Sequence, residues 1–210
     1  MNRRLVLVAL AAIPVLWVLF RLLTTALQPF AGYVLGLCLY WLFLGVTVLY
    51  ATTPAERAHL LTARTAGLLI TALCILPVLV LGLAGMAALH RLPALMLAGI
   101  ALAAIINGFL EELFWRGALV PDPSPPEAAV AVLLFTLWNV ALLAAQGITL
   151  TGGPATLLLG AAFLGTIWMA ARLHTGSVGL SALSHAGVNL FAFILFSADN
   201  LPPGWEPSPL

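Results

Sequence analysis

The sequence predicts an all-α protein, a polytopic transmembrane bundle of about seven spans. Two totals and one pattern predict it. Hydrophobic residues make up 63% of the chain and charged residues only 7%, against about a quarter charged in soluble domains. Apolar runs of about twenty residues, the length a helix needs to cross the hydrocarbon core, follow one another along almost the whole chain. The dyad alternation of a membrane β-barrel does not occur. One membrane-embedded helical domain over residues 1–210 accounts for the length.

Each span is bounded by charge, Pro or Gly. The first, from about Leu5 to Leu23, follows Arg3 and Arg4 and begins like a signal peptide. Its run is long for a signal sequence and the small-residue site at Thr24 to Ala26 is weak, so it is read as an uncleaved first membrane helix. The second span covers about Phe30 to Ala51. "TTPAERAHLLTART" forms a polar loop with room for a short surface helix, and the third span runs from about Ala66 to Leu89. After the break at "HRLP", Pro93 suits the first turn of a fourth helix that extends to about Leu119. "VPDPSPPE" carries four prolines in eight residues and reads as a non-helical connection. The fifth span is about Ala128 to Gln146, the sixth about Ala155 to Leu173, and the seventh about Val178 to Ser197. A polar, Pro-rich tail, "ADNLPPGWEPSPL", closes the chain.

Charge sets the orientation. All eight basic residues are Arg. Arg3, Arg4, Arg57, Arg64 and Arg172 flank the spans on one side, Arg21 and Arg91 on the other. The positive-inside rule places the N-terminus in the cytoplasm, with the plasma (inner) membrane as the expected location. A net charge of +1 and the lack of a basic cluster exclude nucleic acid as an expected partner; the bilayer and a peptide or protein substrate remain. Cys38 and Cys74 both fall inside apolar helices and read as buried, inert thiols.

The fourth span contains "NGFLEELFWRGALV". An ionisable group at a helix centre disfavours insertion by about 2.5–3.5 kcal/mol, which makes it a functional candidate by default. Glu112 and Arg116 stand i,i+4 and share a face, so each lowers the other's cost. Glu111, rotated by about 100°, has no partner on that face. A structural ion pair needs one glutamate, not two. The seventh span contributes His185 and Asn189, and the fifth Phe135 and Asn139, each pair again i,i+4. At about 1.5 Å of rise per residue, the glutamates lie about 12–14 Å from one membrane face, Asn139 about 17 Å and His185 about 11 Å. Three helices thus carry polar groups to similar depths, as a shared polar cavity requires.

"EELFWR" fits an EExxxR motif, "FTLWN" occupies the place of an FxxxH motif, and "HAGVN" fits HxxxN. In this order on successive membrane helices, from about Leu92 to Leu195, they resemble the CPBP (ABI) family of CAAX prenyl endopeptidases and bacteriocin-processing or immunity proteins. The first three helices carry no such motif. Asn139 stands where the family has His, and an amide cannot take up a proton near neutral pH.

The resemblance implies an intramembrane endopeptidase acting on a membrane-associated or lipid-modified substrate. In that reading Glu111 is the general base that activates water, since burial brings carboxylates toward the range where they serve as bases. Glu112, held by Arg116, fixes geometry. His185 and Asn189 stabilise the oxyanion, and Asn139 orients the water. His174 is a spatial substitute to consider for the missing histidine. Two alternatives stand beside it. One is a catalytically lapsed relative acting in binding or self-immunity. The other is a metal-dependent protease in which Glu111, Glu112 and His185 ligate Zn²⁺. Metal-free hydrolysis, with no cofactor, is placed first because Asn139 is a poor replacement for a second imidazole ligand. A transporter is ranked below these for want of an inverted repeat.

Overall fold

The computed structural model describes residues 1–202, 204 and 205; Pro203 and residues 206–210, part of the Pro-rich tail, lie outside the described residues. Among the described residues eight α-helices follow in order: α1 (Arg3–Ala26), α2 (Pro29–Ala51), α3 (Pro54–Leu60), α4 (Leu68–Met86), α5 (Ala94–Glu112), α6 (Pro125–Trp138), α7 (Gly153–Thr175) and α8 (Gly179–Asp199). A π-helical stretch over Leu113–Ala118 continues α5, and a 3-10 stretch over Asn139–Ala144 continues α6. Seven of these segments, all but α3, are long and apolar enough to cross a membrane. The chain is an integral membrane protein with the span count that the apolar runs predict.

Two boundaries differ from expectation. The "VPDPSPPE" segment is not wholly a loop: Pro125 and Pro126 open α6. Proline is tolerated there because first-turn N–H groups have no intrahelical acceptor. Ser124 stabilises that start, its N–H and Oγ both donating to Glu127 Oε2. The α-helical part of the fifth span also stops early, at Trp138 rather than Gln146, and tightens into the 3-10 stretch. The short surface helix forms as α3, closed by a Thr53–Glu56 capping box.

Burial divides the residues as a bilayer demands. Large aliphatic side chains such as Leu68, Leu83 and Leu95 point outward, where lipid is their solvent. Cys38 also faces outward, against the expectation that both thiols are buried; only Cys74 is buried. The interior collects aromatics and small residues, because without a hydrophobic drive between helices association rests on close packing and hydrogen bonds.

α5 and α8 form the most extensive helix pair. At Gly108 they meet backbone to backbone: an added Cβ would lie 2.6 Å from Ala186 N and 2.8 Å from its Cα. Gly108→Ala is therefore expected to lower stability by about 1–3 kcal/mol through overpacking. Gly99→Ala on the same helix, where a Cβ meets nothing within 4 Å, serves as the control. Thermal unfolding in detergent compares the two, and equal midpoints would refute the close approach.

Inter-helix bonds define the two ends of the bundle. At one end Asn2 N donates to Leu119 O (2.8 Å), Val178 N to Leu60 O (2.7 Å) and Arg64 Nη1 to Thr175 O (3.3 Å). At the other, Gln146 N donates to Thr24 Oγ1 (2.8 Å), Arg91 Nη2 to Ala198 O (2.8 Å) and Thr149 N to Asn200 Oδ1 (2.7 Å).

Candidate active site

Glu111 and Glu112 end α5, where the backbone widens into the π stretch closed by Leu119 N donating to Phe114 O at 2.9 Å. Such π insertions recur at functional sites because they re-aim side chains within a helix. Here the whole run from Glu111 to Val120 is buried.

His185, on α8, stands between the two glutamates. Its Nδ1 lies 3.0 Å from Glu112 Oε1 and its Nε2 3.3 Å from Glu111 Oε2. Glu111, Glu112 and His185 are 4%, 0% and 3% exposed, so these contacts are made out of water, where electrostatic interactions are strongest. The expected meeting of the fourth and seventh spans is found, and it is direct.

The Glu112–Arg116 pair forms as the spacing predicts, with Arg116 Nη1 donating to Glu112 Oε1 at 2.9 Å. Its seat is more elaborate than spacing shows. The guanidinium lies 4.1 Å from the Phe135 ring centroid and 5.5 Å from that of Trp168. Its Nη2 donates to Gly165 O at 3.4 Å. A Cβ on Gly165 would come within 3.1 Å of that nitrogen and 2.9 Å of the Phe135 ring, so α7 admits the arginine only because glycine stands there. Trp168 also stacks on His185, with centroids 3.8 Å apart, and donates Nε1 to Ser184 Oγ at 3.0 Å. The imidazole is thereby held against rotation.

Glu111 is not without partners, as spacing along its own face suggested. Tyr40 OH, from α2, donates to Glu111 Oε1 at 2.7 Å, and Asn107 Nδ2, one turn earlier on α5, donates to Oε2 at 3.2 Å. Two indoles stand behind these donors. Trp115 Nε1 donates to Tyr40 OH at 3.2 Å, and Trp41 Nε1 to Asn107 Oδ1 at 2.7 Å. Tyr40 is further clamped by stacking on Trp138, with centroids 3.6 Å apart. Asn107 was legible at i−4 from Glu111. Tyr40 was not, because nothing in the sequence of α2 marks the one tyrosine that reaches across 71 positions.

The remaining candidates divide. Asn189 is buried, and its Nδ2 is one of two buried side-chain atoms without a hydrogen-bond partner among the described residues; Glu112 Oε2 is the other. Asn139 is buried, but its Nδ2 donates back to Phe135 O at 2.9 Å, one turn earlier. No hydrogen bond joins it to Glu111, Glu112 or His185. The i,i+4 relation of Phe135 and Asn139 is thus used within the helix, where α6 passes into its 3-10 stretch. His174 is exposed near Gly67 at the end of α7 and does not substitute for the missing histidine. Arg172, read from the sequence as a flanking charge, is buried: its Nε donates to Arg116 O (3.0 Å) and its Nη2 to Pro121 O (2.6 Å). It satisfies carbonyls that the end of the π stretch leaves free.

The polar groups expected to line a shared cavity are themselves buried, with Glu111, Glu112, His185 and Asn189 at 4%, 0%, 3% and 8% exposed. A space of about 10 Å³, hardly one water, adjoins the Tyr40 side and is lined by Ala9, Ala12, Leu16, Tyr40, Trp115 and Trp138 among others.

The fold and this site define a polytopic membrane protein with a buried, hydrogen-bonded Glu–His–Glu–Arg centre. Residues 93–191 match the family described as type II CAAX prenyl endopeptidase Rce1-like, and over that stretch the protein is CAAX-protease-like. The matched stretch contains Glu111, Glu112, Arg116, Asn139, His185 and Asn189, and leaves out α1 to α4 with Tyr40 and Trp41. No curated protein and no solved structure matches the chain.

Proposed function

We infer that the protein is an intramembrane endopeptidase that hydrolyses a peptide bond of a membrane-associated or lipid-modified substrate through water activated by Glu111. The contact between Glu111 and His185, from the two helices that pack most closely, carries this reading. A base must sit within reach of the proton it removes and be held there; Glu111 is fixed at both oxygens. Glu112, whose Oε1 meets both Arg116 and His185 Nδ1, keeps the imidazole in place. Asn189 offers a buried N–H without a competing acceptor, as an oxyanion donor should.

Metal-free hydrolysis is supported by how His185 spends its nitrogens. A catalytic zinc site takes three protein ligands around one point. Here Nε2 faces one glutamate and Nδ1 the other, on separate edges of the ring, so neither edge assembles more than one carboxylate with one nitrogen. No group of three His, Cys, Asp or Glu side chains placed to hold a metal ion occurs among the described residues. This arrangement of donors supports the metal-free reading over the metal-dependent alternative.

The arginines favour a cytoplasmic N-terminus. Arg3, Arg4, Arg57, Arg64 and Arg172 gather at the end of the bundle joined by Asn2 and Leu119, with Arg21 and Arg91 at the other. The location proposed with that orientation is the inner (plasma) membrane.

The test is cleavage of a prenylated CAAX peptide by the protein reconstituted into liposomes, with product read by mass spectrometry. Release of a cleaved fragment is expected from wild type and not from Glu111→Ala. A second reading, a lapsed protease kept for binding or self-immunity, is favoured by one observation: the amide of Asn139 bonds its own helix. Asn139→His distinguishes the two. Activity in wild type equal to that of Asn139→His supports the active reading, whereas turnover seen only in Asn139→His establishes the lapsed one.

A further inference from the structure

The hydrogen-bond directions around Glu111 can be read without placing any proton by choice. An indole N–H only donates. Trp115 Nε1 therefore occupies a lone pair of Tyr40 OH, and the single hydroxyl proton is left for Glu111 Oε1. Trp41 Nε1 likewise takes Asn107 Oδ1, which turns the amide NH₂ toward Glu111 Oε2. Two chains of the same sense, Trp115 to Tyr40 and Trp41 to Asn107, end on opposite oxygens of one carboxyl group.

On the other side, Glu112 Oε1 accepts from Arg116, so the close contact with His185 Nδ1 is made by an N–H of the ring. His185 Nε2 then faces Glu111 Oε2 across 3.3 Å. That edge is an ion-pair contact and not a hydrogen bond; it joins opposite charges when His185 carries a second proton and Glu111 none, and loses them when the proton sits on Glu111. Either placement makes the centre neutral, with Glu112 and Arg116 cancelling. Burial by itself favours the uncharged pair, and the donors oppose it, because hydrogen bonds donated to a carboxylate favour its charged form.

We propose that Tyr40 and Asn107, each aimed by an indole, are positioning residues that keep the proton of the Glu111–His185 edge on His185 and leave Glu111 a carboxylate ready to act as base. Three of the four relay residues lie on α2 or on the turn before the motif, so this function is built partly from Tyr40 and Trp41, outside the family-matched stretch. The proposal rests on the assignment of Glu111 as base but is tested independently of turnover.

Infrared spectra of the full-length protein in detergent at neutral pH report the protonation state directly. Wild type is expected to show no carboxylic-acid C=O band assignable to Glu111, judged by subtraction of the Glu111→Gln spectrum. Tyr40→Phe, which keeps the ring on Trp138, and Asn107→Leu are each expected to produce one. Trp115→Phe gives a weaker band alone and adds nothing to Tyr40→Phe, since it acts through that hydroxyl. In the liposome assay, Tyr40→Phe is expected to lower kcat about ten- to a hundredfold with KM unchanged. A Glu111 acid band already present in wild type, or none in either variant, overturns the proposal. The expected bands in a protein that cleaves nothing would uphold it and sink the protease reading instead. Additive effects of Trp115→Phe and Tyr40→Phe would refute the relay.

Discussion

Glu111→Gln is expected to reduce peptide-bond hydrolysis by about 10²–10⁴-fold, the contribution of a positioned general base, while changing stability by no more than about 1 kcal/mol. The substitution keeps shape and keeps an oxygen for Tyr40 OH, which donates to Oε1 in the native protein. The new amide NH₂ replaces Oε2, so it faces His185 Nε2, which can give up its second proton and accept, while the bond from Asn107 Nδ2 to Oε2 is lost. What disappears is the capacity to take a proton from water. Abundance and the unfolding midpoint in detergent measure the structural part, and cleavage of the liposome-bound peptide the chemical part. Full activity in a well-folded Glu111→Gln protein would remove Glu111 from the role of base, whatever else the site does.

Arg116→Leu is expected to cost about 3–5 kcal/mol of stability, because breaking a buried ion pair strands the remaining charge. The environment points to the upper part of that range. Glu112 is fully buried, its Oε2 already has no partner, and His185 would be left as its sole hydrogen-bond donor. The two aromatic rings that flank the guanidinium would lose their cation as well. Replacing Glu112 by Gln in the same protein should restore much of the loss, since an uncharged pair leaves nothing uncompensated. Denaturant titration of wild type, the single variant and the double variant measures this. A single variant as stable as wild type, or a double variant worse than the single, would contradict the assignment of the pair as mutually dependent.

The position of the glutamates was legible in the sequence because charge is conspicuous in a chain so apolar. The same contrast exposed His185, and Glu112 and Arg116 were paired by helical spacing alone. Asn139 was legible as a position, but not the partner of its amide: Nδ2 donates to Phe135 O one turn earlier, which helical spacing does not distinguish from a bond across helices. Arg172 failed in the opposite sense. Near a helix end it reads as a charge for the membrane face, yet the π stretch leaves carbonyls that only a long, many-donor side chain reaches.

By itself the sequence determined the class of the protein, its seven spans and the face on which Glu112 meets Arg116. These depend on hydropathy and on the 3.6-residue repeat, both local properties of the chain. Tertiary structure alone decided that His185 lies between two carboxylates, that Tyr40 and two indoles orient Glu111, and that Gly165 and Gly108 admit their neighbours. Those outcomes depend on which helices lie side by side and how closely, and in a bilayer nearly every apolar face is equally free to pack; only the meeting of specific polar groups and small residues selects among the arrangements.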